Sequence, residues 1–229
     1  MNHTIIHDRA GLNQFYAKVY AFVGLGIGLS ALVSGLMLTV FQSQLVYFLM
    51  QGRLWLTIAT FAELALVFVA SSMASKNSPA ALPVFLLYSV LNGFTLSFVV
   101  AFYTPGTVLS AFVSSALLFF VMAAVGMFTK KDLSVMGRLF YMALIGLIIA
   151  GIVNLFVANN TFDWVVSIAG VLIFCGITAW DSQRIKIMLQ EMGDEENENT
   201  LKLALIGSLE LYLDFINIFL YLLRLFKDN

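Results

Sequence analysis

Residues 201–225 read LKLALIGSLELYLDFINIFLYLLRL. A helix needs about 20 mainly apolar residues to span a bilayer, so this segment is long enough to cross one. Asp214 lies near its middle. A carboxylate at that depth is costly to keep and marks a candidate functional site. Glu210, Asp214 and Asn217 are spaced i, i+4, i+7, so they share one helix face. Lipid cannot satisfy that face, which must point into a bundle or a wet cavity.

The rest of the chain fits a membrane bundle. Of its 229 residues, 61% are hydrophobic and 11% charged, against about 25% charged in a soluble domain. Seven apolar stretches read as spans: 19–41, 54–74, 80–102, 107–128, 138–158, 163–182 and 201–225. No small-residue cleavage pattern follows the first, so it is expected to be a retained helix. Short connections, such as Tyr103-Thr104-Pro105-Gly106, favour a compact bundle of antiparallel neighbours. The expectation is one all-α transmembrane domain over 1–229. It has a polar tail at 1–17 and one sizeable loop at 183–200 ending in the acidic run Asp194–Glu198. Residues 183–188 can extend the sixth helix. Gly24, Gly26, Gly28, Gly146 and Gly151 suggest close helix packing.

Lys and Arg in the connections orient the chain. With seven spans, nine of these residues fall on the N-terminal side and three on the other. That puts the N-terminus in the cytoplasm and the C-terminus outside. If the last segment enters and returns, the C-terminus is cytoplasmic as well. The missing cleaved signal and compact loops suit a bacterial inner membrane.

The embedded polar set is Glu63, Asn92, Asn154, Asp181, Glu210, Asp214 and Asn217. Four of these are carboxylates. Arg53, Lys76, Arg184 and Lys202 stand only at helix ends, so central cationic partners are not expected. One reading is protonated acids bonded to neighbouring helices. The other is a site for a proton or a cation, since carboxylate and amide oxygens suit hard ions such as calcium. Two acids brought together resist double ionisation, which lets a pair respond to pH. Depth sets a condition. At 1.5 Å per residue, Asp214 lies roughly 20 Å along its helix from residue 201. Asp181 can meet it if the sixth helix runs on past Asp181.

Several segments resemble the Bax inhibitor-1 family of membrane proteins. They are Trp180-Asp181-Ser182-Gln183-Arg184-Ile185-Lys186, Leu211-Tyr212-Leu213-Asp214-Phe215-Ile216-Asn217 with its continuation to Arg224, Lys130-Lys131-Asp132-Leu133-Ser134, and Gly93-Phe94-Thr95-Leu96-Ser97. The resemblance implies a central C-terminal helix wrapped by six others and a pH-sensitive calcium leak. It implies that Asp181 and Asp214 form the controlling pair and are the candidate calcium ligands. It matches Glu63 to an acidic position in helix two. Some bacterial relatives place an arginine from the end of helix two on the pair. This chain has only Lys76 there.

The leading expectation is therefore a proton-gated leak whose partners are the bilayer, protons and calcium. The alternative is a non-conducting regulator of a membrane protease or of a cell-death or stress-response protein. Its handles would be the N-terminal tail and the acidic loop. No cofactor is expected beyond the calcium ion. Net charge is −1, which gives no sign of nucleic-acid binding. The single Cys175 supports neither a disulfide nor a zinc site. The G-x-G-D signature of intramembrane aspartyl proteases is absent, and both histidines lie near the N-terminus. An enzyme is not expected.

Overall fold

A computed structural model describes residues 9–51, 54–76, 78, 80–157, 159–192 and 198–227. Among the described residues the fold is all helical. The helices are α1 (Arg9–Thr39), α2 (Gln42–Met50), α3 (Leu54–Ser75), α4 (Ala81–Val100), α5 (Pro105–Phe128), α6 (Ser134–Val157), α7 (Asn160–Met192) and α8 (Glu198–Leu225). Their boundaries follow local chemistry. The Thr104 hydroxyl accepts the Thr107 N–H at 3.2 Å, and Pro105 occupies the first turn of α5, where its missing N–H costs nothing.

Six helices are long and apolar enough to cross a membrane: parts of α1, α4, α5, α6, α7 and α8. They coincide with six of the seven expected spans. The remaining expected span falls on α3, whose described apolar stretch is Phe61–Ser75. Large apolar side chains face outward in quantity. Phe128 and Phe156 are 78% and 85% exposed, which suits lipid and not water.

Three expectations change. The polar tail is largely helix, since α1 begins at Arg9, and residues 1–8 lie outside the described residues. The loop expected over 183–200 is mostly helix as well. Helix α7 continues to Met192 and α8 starts at Glu198, while 193–197, with most of the acidic run, lie outside the described residues. Close packing at Gly24, Gly28, Gly146 and Gly151 fails, because an added Cβ there meets nothing within 4 Å. The close approaches use other glycines. The short α2 was not expected. Its buried Leu45 and the edge-on contact of Phe48 with Phe94 at 5.7 Å hold it as an amphipathic turn too short to span.

The chain forms two compact units. One comprises Met1–Phe102 with Met188–Leu209, the other Tyr103–Ile187 with Glu210–Asn229. In the first, α4 packs on α1 and α3. The Ser30 hydroxyl reaches the Ser89 carbonyl at 2.8 Å. A Cβ at Gly93 would sit 2.6 Å from the Ser30 carbonyl oxygen, so only glycine allows this approach. Leu205 of α8 packs with Ala74 and Ala81.

In the second unit, α7 and α8 run antiparallel, as the pairs Gly170–Tyr221 and Arg184–Glu210 require. Phe215 packs edge-on against Phe112 and Phe119 at 5.6 and 5.8 Å. Gln183 staples the α5–α6 connection to α7: its Nε2 donates to the Lys131 carbonyl and its Oε1 accepts the Leu133 N–H, both at 2.8 Å. Lys186 caps the end of α5 by donating to the Met127 carbonyl at 2.7 Å, where the helix dipole favours a cation.

Candidate functional site

The second unit gathers three of the four acids singled out from sequence, Asp181, Glu210 and Asp214. Helix α7 runs eleven residues past Asp181, from 181 to 192. The condition for Asp181 and the α8 acids to meet is therefore satisfied. Asp181 and Asp214 are 1% and 3% exposed. Asp214 lies within electrostatic reach of Asp181, Glu210 and Arg184, and beside the Thr178 hydroxyl. Thr178 also donates to its own helix, at the Phe174 carbonyl 2.7 Å away.

The cluster contains a cation, contrary to the expectation of a centre without bases. Arg184 forms an ion pair with Glu210. Its Nη2 stands 3.9 Å from Asp181 Oδ1, and its guanidinium lies 5.0 Å over the Trp180 ring. The physical reason is helix length. Because α7 does not end near residue 182, Arg184 is one turn along a continuing helix and not a solvated terminus. Its spacings from Trp180 and Asp181, four and three residues, bring ring, guanidinium and carboxylate onto adjoining faces. Helix α6 supplies Tyr141, edge-on to Trp180 at 5.3 Å and within electrostatic reach of Asp181, Glu210 and Asp214.

Two glycines make this packing possible. A Cβ at Gly137 would overlap the Trp180 ring, and one at Gly126 would overlap the Ala179 carbonyl.

Two carboxylates, Asp181 and Glu210, thus share one guanidinium, with Asp214 within its electrostatic reach. Asp181 Oδ1 and Asp214 Oδ2 are buried without a hydrogen-bond donor among the described residues, as is Arg184 Nε without an acceptor. Buried polar atoms normally have partners. The uncompensated negative charge calls for a proton or a cation. Among the described residues no three His, Cys, Asp or Glu side chains are arranged to hold a metal ion.

Of the other sequence candidates, Glu63 and Lys76 belong to the first unit and Asn154 and Asn217 to the second. Glu63 takes a hydrogen bond from Thr95 and faces Asn92 on α4, as expected for an acid satisfied by a neighbouring helix. Lys76 is exposed just after α3, also in the first unit. The arginine near Asp181 is Arg184, on its own helix. Asn154 donates to Asp163 at 3.1 Å at the α6–α7 connection. Asn217 donates to the Leu213 carbonyl at 2.8 Å on its own helix. Trp180, Arg184, Tyr141 and Thr178 were not read as site residues from sequence.

Outside the spans, Asp132 accepts the Ser134 N–H at 2.8 Å. Hydrogen bonds from the Ser134 hydroxyl and N–H hold its carboxyl below the usual carboxylate range.

Fold and site define a multi-span helical membrane protein with a buried acid cluster on its last two helices. The family model described as "Inhibitor of apoptosis-promoting Bax1" matches residues 12–229. A membrane protein of Streptococcus pyogenes serotype M1 is 47% identical over the full length of both chains. The protein YrjE of Lactococcus lactis is 40% identical over 98% of this chain and 95% of its own. Inner membrane protein YbhL of Escherichia coli K12 is 38% identical over 99% of this chain and 96% of its own. The chain belongs to the Bax inhibitor-1 family.

Proposed function

We propose that this protein is a pH-sensitive leak for cations, calcium foremost, in a bacterial inner membrane. The observation that carries the reading is the gathering of Asp181, Asp214 and Glu210 around the single Arg184 within one unit. Carboxylate oxygens suit a hard cation. Protons and cations compete for the same uncompensated charge, so pH biases the populations of closed and open arrangements. Helix α3 serves as the seventh span, since its 22 residues cover about 33 Å at 1.5 Å per residue, against a core of about 30 Å. With seven spans, the excess of basic residues puts the N-terminus in the cytoplasm. A central α8 is supported by its being the most buried of the six spans.

The test is calcium flux into liposomes at several pH values. Asp181→Asn and Asp214→Asn each alter the flux and its pH response on this reading. Unchanged flux and pH response in both variants sinks it.

A further inference from the structure

Outward from Asp214, the same face of α8 continues through Ile218 and Tyr221, at i+4 and i+7. On α7, Thr178 stands beside Asp214, and Phe174 and Gly170 follow at successive turns. The Tyr221 ring stacks on Phe174 with centroids 5.9 Å apart and planes inclined by 29°. It lies over the backbone of Gly170, where an added Cβ would come 2.6 Å from the ring. Phe174 and Ile218 are buried. Beyond the stack begins a second polar set. The Arg224 guanidinium lies 5.5 Å from the Tyr221 ring, and Asp163 is within electrostatic reach of Tyr221. The two α7–α8 polar sets are thus divided by an aromatic layer about 10 Å along the helix from Asp214.

We infer that the Phe174–Tyr221 stack, seated on Gly170, is the barrier closing the α7–α8 face between the acid cluster and the Asp163–Arg224 end. The inference rests on the leak reading and adds where the pathway is shut. An apolar constriction stops ions by excluding their water. A glycine seat lets the tyrosine ring swing off without rebuilding the helix, whereas any larger residue there would hold the ring away.

The chain carries its own reporter. Cys175 is the only cysteine. It is buried, adjoins Phe174, and lies within electrostatic reach of Asp214, which places it on the acid side of the stack. The experiment measures modification of Cys175 by a small charged methanethiosulfonate, added to either face of proteoliposomes, alongside calcium leak at neutral pH. In Tyr221→Ala and Gly170→Ala, labelling rises several-fold from one face only, and the leak rises with it. Tyr221→Leu, which keeps apolar volume, gives a smaller rise and guards against an unfolded Tyr221→Ala. Labelling that is unchanged in the folded variants, or that rises equally from both faces, overturns the barrier. If wild-type protein carries no calcium, the leak reading falls, while one-sided labelling still decides the barrier.

Discussion

Arg184→Gln tests the charge balance of the cluster directly. The substitution keeps length and polarity but removes the cation shared by Glu210 and Asp181. Breaking a fully buried pair from one side costs about 3–5 kcal/mol, and an exposed pair is worth about 0.2–1 kcal/mol. The Arg184 and Glu210 side chains are 32% and 27% exposed, so the pair lies between these limits, at about 2 kcal/mol. Losing the contact with the Trp180 ring adds about 0.5–1 kcal/mol. A total of about 3 kcal/mol lowers Tm by roughly 6–12 °C for a chain of this size. The assay is thermal unfolding of the purified protein in detergent micelles at neutral pH, run as a double-mutant cycle with Glu210→Gln. In the double variant neither a lone cation nor its lone partner remains, so the expected coupling is about 1 kcal/mol or more. Arg184→Gln and Glu210→Gln adding within about 0.3 kcal/mol would refute the claim that this pair organises the site.

Gly126→Leu drives a side chain into the Ala179 carbonyl and should destabilise by about 1–3 kcal/mol or more, read as a lower Tm, while Gly146→Leu, at a position with open space, should be tolerated. Gln183→Leu removes both hydrogen bonds to the α5–α6 connection, a loss of about 2 kcal/mol at about 1 kcal/mol each. Faster amide exchange confined to residues 131–134 is the expected signature. For Asp132, the depressed folded-state pKa means a stabilising contribution present above the unfolded value of about 3.9. That contribution is lost as pH falls through the folded value, so the Tm gap between wild type and Asp132→Ala should close in acid and persist at neutral pH.

Asp181, Asp214 and Glu210 were legible in the sequence because a carboxylate in an apolar span has few cheap explanations. Whether Asp181 could reach the acids of α8 was legible only as a condition on helix length, and Asn160–Met192 is long enough to meet that condition. Arg184 was misjudged for the same reason. Reading a span as ending near residue 182 turns any later basic residue into a loop charge, whereas a helix that runs on carries it within reach of α8. The glycines misled differently. A small residue permits close approach but does not cause it. Only the neighbouring helix decides whether Gly24 faces nothing and Gly126 faces a carbonyl.

On the leak reading, the arrangement of charge also constrains what the cluster can exchange. Arg184 is bound to Glu210 and stands at a longer 3.9 Å from Asp181. Its charge is therefore largely answered by Glu210, and the excess resides on Asp181 and Asp214. Two carboxylates match one divalent cation or two protons. On the leak reading, this equivalence makes proton and calcium occupancy mutually exclusive at one place, without a separate sensor. Glu210→Gln breaks the equivalence by freeing Arg184 to turn toward Asp181 and occupy the role of the exchangeable cation. Arg184→Gln should instead leave all three carboxylates unopposed and strengthen the competition. The two substitutions therefore shift the pH dependence of calcium flux in opposite directions, and a common direction would separate the ion pair from the aspartates' chemistry.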